Sequence, residues 1–385
     1  FYVIPGPHAF LLGKETSETL DLLRVGPQVR AVRTSDAGEV GKRKGLFEGL
    51  GKLKGFQLQL AIDREVKPVA QKLRRVPFSV QPAVEAKLEE LLEQDIIEKV
   101  TGPTPWVSPI VCIPKKDNQI RLCVDMRQAN KAIIRERHPM PTIDDLLHEM
   151  NGAVMFSKLD LSQSFHQIEL DQDSREITTF VTHKGLYRYK RLFFGISCAP
   201  EIHQRIIQQV ISGCEGARNI ADDIIIFGNS AEEHDRRLDS VLTCLWEAGL
   251  RLNRQKCSFG LPELTFMGYR LNKHGISATD EKVRAISDAR EPRSASEVRS
   301  FLGLLNFVGR FLPDMSTVSA PLRDLTKSKT PWRWTSLEQE AFEELKRRIA
   351  QNSTLAYFSA SAETRLVVDA SPVGLGAVLL QCHDG

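Results

Sequence analysis

Residues 219–227 read Asn-Ile-Ala-Asp-Asp-Ile-Ile-Ile-Phe, two adjacent carboxylates inside an otherwise β-branched, apolar run. The flanks have the composition of buried strand. Ionised carboxylates are costly in such a setting unless a turn or a cation accommodates them. A tight hairpin with Asp222-Asp223 at its tip meets the backbone requirement, and a divalent cation relieves the repulsion. Asp160, at the end of the apolar stretch Val154 to Leu161, is the natural third ligand. Three carboxylates without histidine or thiolate suit hard Mg²⁺, with substrate phosphates completing its shell. Such a site supports in-line phosphoryl transfer with two metal ions.

The rest of the composition narrows the class without naming it. With 385 residues, 42% hydrophobic and 26% charged, the chain is globular and long enough for two to four domains. No apolar run reaches the ~20 residues of a membrane helix. The N-terminus, Phe-Tyr-Val-Ile-Pro-Gly, carries neither methionine nor signal peptide and reads as part of something longer. A net charge of +3 neither establishes nor excludes a nucleic-acid partner. Seven scattered cysteines without a C-x-x-C pair point to reduced thiols in an intracellular protein and away from a zinc site. The basic stretch from Arg24 to Arg75 reads as a solvated linker.

Along the chain, Ala9 to Gly13 reads as a strand and Ser17 to Leu23 as a short helix. Pro82 would start a helix whose stripe is Leu88, Leu91 and Leu92. Ile110 to Pro114 and Ile120 to Val124 flank the charged tip Lys115 to Gln119, a hairpin. A helix carrying Leu146, Leu147 and Met150 follows. Pro200 opens a helix with Ile202, Ile206, Val210 and Ile211, and Ala231 to Ala248 forms another. After Gly268 the texture turns helical, with Ser294-x-x-Glu297 as a capping box opening a helix through Phe311. Thr364 to Gln381 reads as two strands.

Taken in order, Lys158-Leu159-Asp160-Leu161, Phe165-His166-Gln167-Ile168, Phe194-Gly195-Ile196-Ser197-Cys198-Ala199-Pro200 and Asp222-Asp223 resemble the motifs of a reverse transcriptase palm. Trp106-Val107-Ser108-Pro109, Pro114-Lys115-Lys116 and Arg121 to Arg127 resemble its fingers. Asn253-x-x-Lys256-Cys257-x-Phe259 and Phe266-Met267-Gly268-Tyr269 continue the series. The family resembled is the Pol polyprotein of gypsy-like long-terminal-repeat retrotransposons.

That resemblance implies an α+β right-hand polymerase fold. It divides the chain into a retropepsin-like protease remnant (1–26), a linker (27–75), fingers and palm (76–280), thumb (281–325), connection (326–363) and the start of a ribonuclease H-like domain (364–385). It implies an RNA-directed DNA polymerase that uses two Mg²⁺ ions (Mn²⁺ is the variant) held by Asp160, Asp222 and Asp223. The partners are dNTPs and an RNA or DNA template with its primer, with no membrane; the location is cytoplasmic or nuclear.

Lys115, Lys116 and Arg121 would hold the triphosphate, Phe165 would exclude a ribose 2′-hydroxyl, and Phe194-Gly195 would floor the base pair. Met267-Gly268 matches the primer grip, and Arg299, Gly303 and Phe307 the helix face that tracks the duplex. Read from the residues alone, Lys115 and Lys116 suit a solvated turn, while Phe165, Met267 and Phe307 suit core packing. Two positions depart from the family: Ile220 stands where tyrosine is usual, and Phe193 where proline is common. Asp369 resembles the first ribonuclease H carboxylate, without the others, and no protease Asp-Thr/Ser-Gly is present, so neither activity is expected. The rival reading is a non-catalytic, nucleic-acid-binding remnant of a retrotransposon.

Overall fold

The computed structural model describes residues 2–3, 11–12, 23–24, 30–31, 43–114, 120–312, 314–328, 330–351, 354–359, 361–371 and 374–382. Its strands longer than two residues are, in chain order, β1 (Ile97–Lys99), β2 (Ser108–Pro114), β3 (Ile120–Val124), β4 (Met155–Asp160), β5 (Phe180–Thr182), β6 (Gly185–Tyr189) and β7 (Ala217–Ile220). They continue with β8 (Asp223–Gly228), β9 (Ser258–Leu261), β10 (Glu263–Phe266), β11 (Tyr269–Asn272), β12 (Gly275–Ala278), β13 (Thr364–Ser371) and β14 (Gly374–Gln381). Helices of eight residues or more are α1 (Gln81–Glu93), α2 (Ala199–Val210), α3 (Ala231–Glu247), α4 (Asp280–Ser287), α5 (Ala295–Val308) and α6 (Ser336–Ala350). The chain forms two compact units, one from residues 1–134, 161–197 and 242–255, the other from 135–160, 198–241 and 256–385.

The first unit is built on a sheet of order β1-β6-β5-β2-β3, antiparallel except where β2 meets β5. β2 and β3 form the expected hairpin, in register from Ile110 opposite Val124 to Pro114 opposite Ile120. Its tip, with Lys115 and Lys116, lies outside the described residues. On α1 the buried stripe is Val84, Leu88 and Leu91, and Leu92 is only half-buried. The expected stripe was therefore rotated by one position, because Val84 falls four residues before Leu88 on the same face.

Two expectations for this unit are corrected. Residues 43–75, read as linker, bury Leu46, Leu53, Leu58 and Leu60 and make isolated bridges from Leu58 to Leu170, Ile62 to Ile133 and Ala70 to Val107. The stretch lacks a period because single bridges, not a continuous ladder, pin it. Leu23, expected to end a helix, is extended and pairs with Ala31; residues 17–22 lie outside the described residues. Leu11–Leu12 is extended as expected and pairs with Tyr2–Val3.

The second unit holds an antiparallel sheet of order β7-β8-β4-β9 and a second one of order β10-β11-β12. One core joins them, including Phe156, Phe227, Phe266, Phe301 and Phe342. Truncating one such phenylalanine to alanine costs about 3–5 kcal/mol. β11 and β12 fall where helices were expected after Gly268. Four-residue strands, one of them buried at every position, give too short a record of alternation to read.

On α5 the Ser294 hydroxyl accepts the Glu297 N–H at 3.2 Å, but the Glu297 carboxylate reaches the Arg293 N–H instead of closing the box. The α-helix ends at Val308 and a 3₁₀ turn carries the chain to Phe311. β13 and β14 pair in the two-stranded arrangement expected. Among the described residues no helix is long and apolar enough to cross a membrane.

Candidate active site

β4 is an interior strand of its sheet, and its last residue, Asp160, lies directly opposite Asp223 at the start of β8. Leu159, Ile224, Ile225 and Ile226 behind them are fully buried, so the strand ends are rigidly placed. The hairpin tip is one residue earlier than expected. Ile220 pairs with Asp223, which leaves Ala221-Asp222 as the two-residue turn. The apolar flanks allow either placement; the pairing of Asp223 with Asp160 selects this one. Ala221 has φ +52°, the left-handed region that non-glycine residues avoid. Ile220 is buried in the core, so its side chain is a packing group.

Both cross-strand carboxylates carry a lysine. Lys158 Nζ is 2.9 Å from Asp223 Oδ2, and Lys256 Nζ is 3.5 Å from Asp160 Oδ2. Burial raises the pKa of Asp160; Lys256 opposes that shift and the charge of Asp223 adds to it. Asp222 is the most exposed of the three, with Oδ1 3.8 Å from His203 Nδ1. Burial lowers the His203 pKa to about 4, against the pull of Asp222, so that imidazole is neutral at pH 7.

Asp160 and Asp223 are thus brought together, with Asp222 beside them on the turn. Among the described residues no three His, Cys, Asp or Glu side chains gather as a metal-ligand group. The donor chemistry nevertheless suits a hard cation, and the ammonium groups stand where positive charge is required. Lys158 could have been found in the sequence, since it lies two residues before Asp160 and therefore on the same strand face.

In the first unit, Phe165 is buried and meets Phe194 edge to face, with ring centroids 4.5 Å apart. Phe194 itself is 69% exposed, as a surface for a ligand would be. Gly195 has φ +137°, and a Cβ there would crowd Phe193 and Met126 at 3.1 and 3.2 Å. Asn130, missed in the sequence, clamps this loop: its Nδ2 donates to the Gly195 carbonyl at 2.7 Å, and its Oδ1 accepts the Ser197 N–H at 3.0 Å. Arg121 is exposed on β3. Nearby in sequence, Asp125 takes hydrogen bonds from Arg127 and Arg74, which hold its pKa far below the usual carboxylate range.

Met267 and Gly268 form the two-residue turn between β10 and β11, both with positive φ, and Met267 is exposed, not core. Beside this turn Phe307 stacks on Tyr269 at 4.9 Å, and Lys282 Nζ sits over the Phe307 ring. Arg299, Gly303 and Phe307 all lie on the exposed side of α5, opposite Val298, Phe301, Leu302, Leu305 and Val308. Arg299 donates to the Thr326 carbonyl at 2.9 Å.

Residues 113–271 match the family described as reverse transcriptase (RNA-dependent DNA polymerase), and residues 334–385 match the RNase H-like domain found in reverse transcriptase. The chain carries a reverse transcriptase region of the kind found in retrotransposon Pol polyproteins. The second match begins well before position 364, within the stretch read as connection.

The chain is 36% identical over 337 residues to the retrovirus-related Pol polyprotein from transposon 412 of Drosophila melanogaster, covering 86% of this chain and 27% of that one. It is 29% identical over 334 residues to the transposon Tf2-3 polyprotein of Schizosaccharomyces pombe, covering 86% and 25%. It therefore spans about a quarter of these relatives.

Among solved structures, the foamy viral protease-reverse transcriptase in complex with double-stranded DNA aligns with a TM-score of 0.83 at 23% identity, covering 95% of this chain and 64% of that one. The same enzyme with an RNA/DNA hybrid aligns at 0.79 and 22%, covering 94% and 51%. The fold is the α+β fold of a reverse transcriptase, as expected.

Proposed function

We propose that the chain is an RNA-directed DNA polymerase that joins the α-phosphate of a dNTP to a primer 3′-hydroxyl and releases pyrophosphate. The observation that carries this reading is the cross-strand pair Asp160–Asp223 with Asp222 on the adjoining turn. These three carboxylates would hold Mg²⁺, which when bound supplies Lewis-acid stabilisation of the attacking and leaving oxygens. Lys158 and Lys256 would hold the Asp223 and Asp160 carboxylates aimed until substrate arrives. Phe165, fixed edge-on by Phe194, would close the space beneath the sugar, and Arg121 would offer its guanidinium to the triphosphate. Met267-Gly268 and the exposed face of α5 would contact primer and template. The solved relatives named above hold double-stranded DNA or an RNA/DNA hybrid, which supports a duplex as the ligand.

The test is primer extension on an RNA template with dNTPs and Mg²⁺. Extension that Asp160→Asn eliminates supports the polymerase; duplex binding without extension supports the non-catalytic remnant. In the active protein Phe165→Val should raise rNTP use relative to dNTP by roughly tenfold or more. An unchanged ratio would make Phe165 a packing residue only. The same preparation should leave the RNA of a hybrid uncut; cleavage abolished by Asp369→Asn would overturn that expectation.

A further inference from the structure

Gln204 projects from α2 with 1% of its surface exposed, and both ends of its amide are engaged. Its Oε1 accepts the Ala221 N–H at 2.8 Å, and its Nε2 donates to the Asn219 carbonyl at 2.8 Å. The Asn219 side chain returns a bond to the Gln204 carbonyl at 3.3 Å. One side chain therefore grips the hairpin on both sides of Ile220, at Asn219 and at Ala221. Only a group with a donor and an acceptor at amide spacing can do this, and an uncharged one adds no charge beside Asp222.

The grip falls where the turn needs it. Ala221 is held at φ +52° without the glycine that such a turn position favours. The closed hairpin calls for that conformation while the alanine side chain resists it, so a tertiary contact that holds the Ala221 N–H helps to keep it. The next residue is Asp222, and its direction follows from the backbone of Ala221.

We propose that Gln204 is a positioning residue that locks Ala221 in the left-handed conformation and thereby aims the Asp222 carboxylate. The proposal rests on the polymerase reading only for its kinetic readout. If the restraint acts through the backbone, a glycine at 221, which adopts that conformation without steric penalty, makes the restraint less necessary.

The test compares the full chain with Gln204→Met, which keeps the side-chain volume and removes both hydrogen bonds, and with Gln204→Met combined with Ala221→Gly. Primer-extension kinetics, Mn²⁺ binding by electron paramagnetic resonance, and amide hydrogen exchange across residues 217–227 are measured. Gln204→Met should lower kcat on the order of 10- to 100-fold with little change in the dNTP KM, and should weaken Mn²⁺ binding. Adding Ala221→Gly should restore most of both. No loss in the single variant, or an equal loss in both variants, overturns the proposal.

If Gln204→Met does not fold, exchange in the unaltered chain decides. An Ala221 amide protected like the core of β8 supports the restraint, and one that exchanges freely overturns it. A chain that extends no primer defeats the polymerase reading, while the exchange and Mn²⁺ measurements still judge Gln204.

Discussion

Two two-residue hairpin turns in the second unit solve the same problem with different materials. Met267-Gly268 has positive φ at both positions, the pattern that right-twisted strands favour, and it supplies glycine at one of them. Its side chain is left free to project, and Met267 does so. Ala221-Asp222 has positive φ at its first position and no glycine at all. That turn is held from outside by a buried glutamine on a neighbouring helix. Glycine makes a turn comfortable and also compliant. The turn bearing a carboxylate is thus kept stiff, at the expense of local comfort, while the Met267-Gly268 turn, proposed above to contact the primer, is left some give.

The comparison breaks first at its functional claim. Asp222→Asn or Asp223→Asn should reduce primer extension by roughly 1,000-fold or more while circular dichroism stays unchanged, since each removes charge from the reacting centre. Extension near the unaltered rate in the Asp222→Asn variant would strip that turn of its chemical role, and in the Asp223→Asn variant would do the same for the first residue of β8. Next, Gly268→Ala forces a Cβ against Lys282 and the Phe307 ring at φ +80° and should destabilise the protein by about 1–2 kcal/mol in denaturant titration. A neutral result would mean the Met267-Gly268 turn is not constrained as described.

Ala221→Gly sharpens the contrast from the other side. Relief of the left-handed strain and glycine's greater unfolded-state freedom oppose each other, so stability should change by less than about 1 kcal/mol. A large loss in thermal unfolding would show that the Ala221 methyl itself packs.

The smallest effect concerns the first unit, where neither turn lies. Burial, followed by Lys87 and Arg191, lowers the His166 pKa from 6.5 to about 4. The unfolded chain therefore binds the proton more readily, and stability should fall as pH drops from about 6.5 to about 4. His166→Phe should flatten that slope by up to about 1.4 kcal/mol per pH unit. An unaltered slope would assign the acid sensitivity to other groups.

What could be read in the sequence was what local chemistry determines. The β-branched run around Asp222-Asp223 made a hairpin legible, and the 3.6-residue recurrence of Leu238, Val241, Leu242 and Leu245 fits the observed α3, where all four are buried. The turn was displaced by one residue because both flanks are apolar and only pairing across to Asp160 settles the register. Residues 43–75 were misread because their burial comes from solitary bridges to distant chain. Gln204 and Asn130 were invisible for a related reason. Each acts by clamping backbone 15 to 67 residues away, which leaves no periodic trace. Arg121, Phe165 and Met267 were singled out only through resemblance to a family, although the exposure of Met267 excludes its reading as core.

Lys158 and Lys256 carry a consequence for how the protein can be handled. They are counter-ions tethered to the chain, present from the moment β4, β8 and β9 assemble. Folding therefore need not await a dissolved ion, and the thermal midpoint should be the same with or without a chelator. On the polymerase reading proposed above, a divalent ion would have to displace an ammonium from Asp160 and from Asp223, an exchange of charges instead of the filling of an empty well. On the same reading, ion occupancy should respond to whatever draws the lysines away, and the phosphates of a nucleotide would be suited to do so.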